Sequence, residues 1–212
     1  MKRRLGSLIR LPIPDVEPEH DDSALVRAFC IGETWAARAI WSRHSPMVFR
    51  LFERALGPNA DAEDLTQDAF LSTFGGLHAL RDHRALRSFI YSVALRILKW
   101  ELRRRRVRRV LQLFPIDQLP DWPARAVDVE ARQVLVRFYS LLDRLNVNER
   151  TAFVLRHMEE FTLEEVAERM GVSLSTAKRV IRSASLKVSA LVAADRELSE
   201  YWSQRGGVHA RD

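Results

Sequence analysis

Apolar positions recur at three- and four-residue spacing along most of this chain, and no stretch alternates apolar and polar residues. The pattern therefore predicts helices and no strands. Leu25, Val26 and Phe29, then Trp35, Ala39 and Ile40, predict two short helices separated near Gly32. Pro46 fits the first turn of a further helix, where the missing N–H costs nothing. That helix runs through Val48, Leu51, Phe52 and Leu56 and stops at Gly57-Pro58. The next, capped by Asn59 or Asp61, carries Leu65, Ala69, Phe70 and Phe74 and closes at Gly75-Gly76. A long helix follows with Leu86, Phe89, Ile90, Val93, Ile97, Leu98 and Leu102. The period fails at 110–130, among Pro115, Pro120 and Pro123, and returns between about Ala131 and Val192. The expected fold is all-α, with two small helical domains at 23–109 and 131–192 joined by a flexible linker at 110–130. Residues 1–22, with Pro12, Pro14 and Pro18, read as a disordered tail, and 193–212 as a C-terminal tail.

The second domain holds the most informative stretch. Val166, Ala167 and Met170 form one apolar stripe, and Gly171 stands where a helix needs a left-handed terminator. Ser173 is placed to cap the next helix, in which Leu174, Ala177, Ile181, Ala184 and Val188 recur at helical spacing. Lys178, Arg179 and Arg182 fall on its other faces. A short helix, a glycine turn and a cationic second helix is the pattern of a helix-turn-helix, whose second helix enters the major groove. A plain helical hairpin with a solvated basic face has the same pattern.

Charge sharpens the picture. The 212 residues carry a net charge of +6 and a hydrophobic fraction of 47%, enough for ordinary packed cores. The positive charge is concentrated: residues 81–109 hold eleven basic and two acidic side chains, and four acids against one arginine follow at 110–130. Six arginines (Arg103, Arg104, Arg105, Arg106, Arg108, Arg109) occupy seven positions at the end of the long helix. Such density repels itself unless it meets an anion, and a phosphate backbone is the natural one; the solvated end of a helix is the plainer alternative. Before it, Asp61-Ala-Glu-Asp-Leu-Thr-Gln-Asp places Asp64, Gln67 and Asp68 on one helical face. That face suits a basic protein partner, or is simply a capped, solvated helix. Phe74, Phe89, Tyr91 and Trp100 interleave with Arg81, Arg84, Arg87 and Arg96, a mixture suited to unstacked bases as well as to a core.

Other chemistry finds no support. There is no glycine-rich phosphate loop, no nucleophile elbow, and the six histidines lack ligand spacing. No cofactor, metal or intrinsic catalysis is expected. The single cysteine, Cys30, excludes an internal disulfide framework and fits a reducing cytoplasm. No apolar run approaches the roughly 20 residues of a membrane helix, and Arg10, Pro12 and Pro14 break any signal-peptide core.

These residues resemble a family. Asp61-Ala-Glu-Asp-Leu-Thr-Gln-Asp-Ala-Phe-Leu, then Ser-Phe-Ile-Tyr-Ser-Val-Ala ahead of the arginine run, then a proline-containing linker and Glu-Arg-Thr-Ala-Phe-Val-Leu-Arg-His-Met-Glu-Glu-Phe-Thr-Leu-Glu-Glu-Val-Ala-Glu-Arg-Met-Gly-Val-Ser, look like a bacterial extracytoplasmic-function sigma factor of the sigma-70 family. The resemblance covers about 23–192 and implies a region 2 bundle at 23–109 and a region 4 helix-turn-helix at 131–192. It implies that Asp61, Asp64, Gln67 and Asp68 meet the β′ clamp of core RNA polymerase. Arg81, Arg84, Phe89, Arg96, Arg103, Arg104, Arg105 and Arg106 would serve the −10 element. The loop at 75–84 would hold a flipped base, an unstacking that costs a few kcal/mol. Ser173, Ser175, Thr176, Lys178, Arg179 and Arg182 would contact the −35 duplex, with region 4 on the β flap. An anti-sigma factor is a further implied partner, and membrane insertion is not. The family often has tryptophan where Phe89 stands and asparagine where Arg96 stands. A helix-turn-helix regulator that binds DNA without polymerase is the alternative function.

Overall fold

The structure, a computed structural model, describes residues 21–57, 61–110 and 129–204. The tail at 1–20, most of the linker and the last eight residues lie outside the described part, so the expectations for them are not addressed. Nine α-helices in chain order and no strands occur among the described residues: α1 (Asp22–Cys30), α2 (Thr34–Leu56), α3 (Ala62–Gly76), α4 (Leu86–Val110), α5 (Val129–Leu142), α6 (Val147–Phe153), α7 (Leu163–Met170), α8 (Leu174–Ala194) and α9 (Arg196–Gln204).

Helices α1 to α4 pack on one another around Leu25, Ile40, Leu51, Phe52, Phe70, Leu86, Ile90 and Leu98, all essentially inaccessible to water. Each such side chain contributes roughly 1.5–3 kcal/mol of transfer free energy. α1 starts at Asp21, whose carboxylate accepts from the N–H of Ala24 at 2.6 Å. It is tied to α2 by Asp22 Oδ1, which lies 3.1 Å from both Arg43 and the buried His44 ring.

α2 joins two expected helices into one: the segment with Trp35, Ala39 and Ile40 runs on into the segment expected to start at Pro46, so the helix is continuous from Thr34 to Leu56, with Pro46 in its interior. Proline there deprives the Ser42 carbonyl of its helical donor. Ser42 is exposed, so water can take the place of that donor, while Ile40, His44, Val48, Leu51 and Phe52 hold both halves of the helix to one core. Packing thus outweighs the local helix-breaking preference. At the other end Gly57 stops the helix at φ 86°, ψ 171°, a conformation open essentially only to glycine.

In the second unit α5 to α9 gather around Leu142, Leu145, Phe153, Ala184 and Val188, with Val134, Leu141 and Leu198 beside them. α6 begins with a capping box in which Asn146 and Glu149 satisfy each other's backbone N–H. It ends in one wide π turn at Val154–Met158. α8 runs to Ala194 and α9 lies beyond it, its Leu198 fully buried between α5 and α8, so part of the expected C-terminal tail is folded. Leu198, Tyr201 and Trp202 do recur at helical spacing, but over a single turn, too short a pattern to predict that helix.

The two units touch. Ala152, Val154, Leu155, Val166 and Met170 join the core of the first unit. Arg54 bonds the Met158 carbonyl and lies 3.1 Å from Glu159. The Phe161 ring meets Tyr91 of α4 edge-on, centroids 5.4 Å apart, and the Arg169 guanidinium sits 3.8 Å from the Phe161 centroid.

Candidate nucleic-acid and protein interfaces

The acidic face is built by α3. Ala62, Leu65, Thr66, Ala69, Phe70 and Thr73 point inward, and Thr66 and Thr73 donate to the carbonyls of Ala62 and Ala69, four residues back. The 3.6-residue period then turns Asp61, Glu63, Asp64, Gln67 and Asp68 outward, and all are exposed. Glu63 and Asp64 lie in the first turn, where the helix dipole favours negative charge. Asp61 occupies the cap position, but through its backbone: its carbonyl accepts from Leu65 at 2.9 Å, and its carboxylate makes no capping bond. Beside this face lies an apolar groove of about 390 Å³ between α2 and α3, lined by Trp41, Pro46, Phe49, Glu63, Thr66 and Gln67. The groove could not be read from sequence, because its two walls lie some twenty residues apart on different helices.

The cationic face is built by the loop after α3 and by α4. Asp82 accepts from the N–H of Arg84 at 3.0 Å, which folds the loop back and leaves Arg81 and Arg84 exposed. Phe89 is half-buried, and its ring tip would lie 3.0 Å from a Cβ at Gly76. Gly76 therefore makes room for Phe89, in addition to ending the helix.

The arginine run divides in two. Glu101, only 3% exposed, ion-pairs with Arg104 at 2.6 Å and Arg105 at 2.9 Å. Burial pushes the Glu101 carboxyl up, but the hydrogen bonds and charge of Arg104 and Arg105 outweigh it and hold the group below its ordinary range. Arg105 also donates to the Leu56 carbonyl at 3.2 Å. Arg96, Arg103 and Arg106 are exposed and form no ion pair among the described residues, so they remain the better candidates to meet phosphate. Lys99 is half-buried behind them, its ammonium held below the ordinary range by burial and by Arg103.

The helix-turn-helix forms as its residues require. Thr162 and Glu165 make a capping box at the start of α7. Gly171 adopts φ 68°, and Val172 donates to the Ala167 carbonyl at 3.0 Å to close the turn. Ser173 accepts from the Thr176 N–H, and the hydroxyls of Ser175 and Thr176 lie 3.1 and 2.9 Å from it. Ala177 is fully buried against α7, while Ser173, Ser175, Lys178, Arg179 and Arg182 are exposed. Buried Glu149 holds α8 from below, accepting from Ser183 at 2.8 Å and Lys187 at 2.5 Å. Lys187 is thereby committed to the scaffold. Burial pushes the Glu149 carboxyl up, and the Lys187, Asn146 and Ser183 bonds more than reverse this.

Among the described residues no cluster of histidine, cysteine, aspartate or glutamate could hold a metal ion. No described helix is long and apolar enough to cross a membrane.

Comparison with known proteins matches residues 40–108 to the family model for Sigma-70 region 2 and 141–190 to that for Sigma-70, region 4. The ferric citrate uptake sigma factor FecI of Escherichia coli (strain K12) is 30% identical over 152 residues, which cover 69% of this chain and 84% of FecI. The solved structure of CnrH, an RNA polymerase sigma factor of Cupriavidus metallidurans, in complex with the cytosolic domain of CnrY superposes with a TM-score of 0.57. That match has 25% identity and covers 82% of this chain and 98% of CnrH. Sigma factor RpoE of Bartonella quintana, solved in complex with the anti-sigma factor NepR, shares the fold, with a TM-score of 0.54 at 21% identity over 75% of this chain and 98% of RpoE.

Proposed function

The chain belongs to the sigma-70 family of RNA polymerase sigma factors, in its extracytoplasmic-function group, and from that premise we propose how its surfaces share the work. A sigma factor joins core RNA polymerase and gives it promoter specificity, so this protein directs transcription initiation. In our reading, residues 23–109 form the region 2 domain and 131–192 the region 4 domain, with 110–130 as the linker between them. The exposed carboxylates Asp61, Asp64 and Asp68, with Gln67, meet the basic β′ clamp, and region 4 docks on the β flap. Arg81, Arg84, Phe89 and Arg96 face the melted −10 element, with Arg103 and Arg106 on its backbone and Arg104 and Arg105 tied mainly to Glu101. Ser173, Ser175, Thr176, Lys178, Arg179 and Arg182 face the −35 duplex. The chemistry of RNA synthesis belongs to the polymerase, and the protein has no catalysis of its own. It works in the cytoplasm, where that enzyme is, under an anti-sigma factor. The complexes of CnrH with CnrY and of RpoE with NepR support that partner.

One observation carries this reading: a single chain presents both an exposed acidic helix face and a helix-turn-helix with exposed Lys178, Arg179 and Arg182. A regulator that binds DNA without polymerase needs only the second, and the family matches favour polymerase-dependent recognition. The test is run-off transcription by purified core polymerase on a pool of genomic promoter fragments, with and without the protein. Discrete transcripts that depend on its addition are expected. Their absence, with folded protein, would overturn the reading.

A further inference from the structure

The groove of about 390 Å³ between α2 and α3 joins two kinds of surface. Its α2 wall is apolar, formed by Trp41, Pro46 and Phe49, with the Trp41 ring resting on Phe70 at 4.7 Å between centroids. Its other wall is α3, where Glu63 and Gln67 line the opening and Asp61, Asp64 and Asp68 stand exposed beside it. None of these four carboxylates forms an ion pair among the described residues. Leu71 continues the stripe of Asp64 and Asp68 by one turn and is 70% exposed. Such a surface selects its partner. The carboxylates repel phosphate, which excludes nucleic acid, and the acidic faces of two copies would repel each other. What fits is a polypeptide that carries cations and apolar side chains together.

This chain carries such a segment outside the described residues. Residues 2–11, Lys-Arg-Arg-Leu-Gly-Ser-Leu-Ile-Arg-Leu, hold four cations and no acid, interleaved with Leu5, Leu8, Ile9 and Leu11. Four cations thus match four carboxylates, and four aliphatic side chains match the wall of Trp41, Pro46 and Phe49. The segment is also tethered within reach. The first described residue, Asp21, caps α1, and the next, Asp22, places Oδ1 3.1 Å from both Arg43 and His44 of α2. Trp41 and Ser45, which line the groove, lie within one turn of that contact. Residues 12–20 can span up to about 30 Å, ample for the distance. Tethering gives the segment an effective concentration in the millimolar range, so weak contacts suffice to dock it. We propose that residues 2–11 dock in the groove between α2 and α3, cover its carboxylates and compete with the polymerase clamp for that face. The competition rests on the clamp assignment made above; the docking does not.

The test uses the full chain with the photoreactive residue p-benzoylphenylalanine at position 11, with and without Leu8→Asp and Ile9→Asp. Irradiation is expected to join position 11 to residues 41–49 or 63–67 of the same molecule, as mapped by mass spectrometry. The adduct should disappear in the double variant and be suppressed by saturating core polymerase. Affinity for core polymerase is then measured without the photoreactive residue. Leu8→Asp with Ile9→Asp should bind roughly 5–10-fold more tightly than wild type, as a docked fraction of about 80–90% requires. Leu8→Met with Ile9→Val should bind like wild type. No adduct on either helix overturns the docking, and adducts between two molecules overturn the choice of the chain's own segment as occupant. An adduct within one molecule, with core affinity unchanged in the double variant, overturns the competition. Asp64→Ala with Asp68→Ala then shows whether the clamp assignment has failed with it.

Discussion

Arg150 of α6 is 3% exposed and donates from Nε to the carbonyl oxygen of Ala55, 2.8 Å away at the end of α2 and 95 residues earlier in the chain. The last carbonyls of a helix have no partner within it. Here two of them and one further back are met from a distance: Ala55 by Arg150, Leu56 by Arg105 at 3.2 Å, and Glu53 by the Tyr139 hydroxyl at 3.4 Å. A second Arg150 nitrogen bonds Asp143, so the guanidinium is satisfied within region 4 as well as across the boundary. The end of α2 is therefore the point at which the two units are fastened together.

Arg150→Met is expected to destabilise the protein by about 2–4 kcal/mol, because it strands a helix-end carbonyl and removes a buried cation from beside Asp143. Denaturant unfolding followed by circular dichroism reads this directly. A change under roughly 0.5 kcal/mol would mean that Arg150 does not bind the units together.

Gly57 carries a second constraint at the same place. A Cβ there would lie 2.9 Å from Cγ of Tyr139, at φ +86°. Gly57→Ala should therefore cost roughly 2 kcal/mol or more, from backbone strain and from the clash together. Tyr139→Ala in the same chain should recover the clash component alone. The double-mutant cycle separates the two, and complete recovery would show that strain contributes nothing.

Asp64→Ala with Asp68→Ala should weaken binding to core polymerase and leave the melting temperature nearly unchanged, since both side chains are exposed. Competition with a labelled sigma factor for core polymerase measures it. Unaltered affinity would remove the clamp assignment.

Arg179→Ala should cost about 1–3 kcal/mol at one −35 position if the side chain is bidentate to guanine. Binding across a panel of single-base promoter variants decides the matter. A uniform loss on every sequence would make Arg179 a phosphate contact.

Glu149 gives a pH dependence with a definite sign. Its folded carboxyl is held below the ordinary value of 4.5, so folding favours the ionised form. That stability is fully present above the unfolded value and is lost as pH falls through the lower folded value. Glu149→Gln should therefore be less stable than wild type at neutral pH, with the gap closing below about pH 4. Unfolding curves between pH 3 and 7 test it, and a pH-independent gap would assign the effect to packing.

The helix-turn-helix was legible in the chain because its signals are local. Gly171 must turn left-handed and Ser173 must cap, each for reasons found within a few residues. The same holds for the acidic face of α3, where period alone turns Asp64, Gln67 and Asp68 outward. By itself, then, the sequence determined the all-helical class and which carboxylates of α3 and which cations of α8 face outward. Tertiary structure decided what depends on distant partners. Pro46 lies inside α2 because a shared core holds both halves of that helix. Arg104 and Arg105 are drawn from the arginine run by Glu101, whose burial no local pattern announces. Leu198 orders α9 only because α5 and α8 enclose it, and Arg150 finds Ala55 only once two separate bundles meet. Backbone propensity and side-chain period act over a few residues, whereas burial and buried hydrogen bonds depend on which surfaces come together, and only the folded chain brings them into contact.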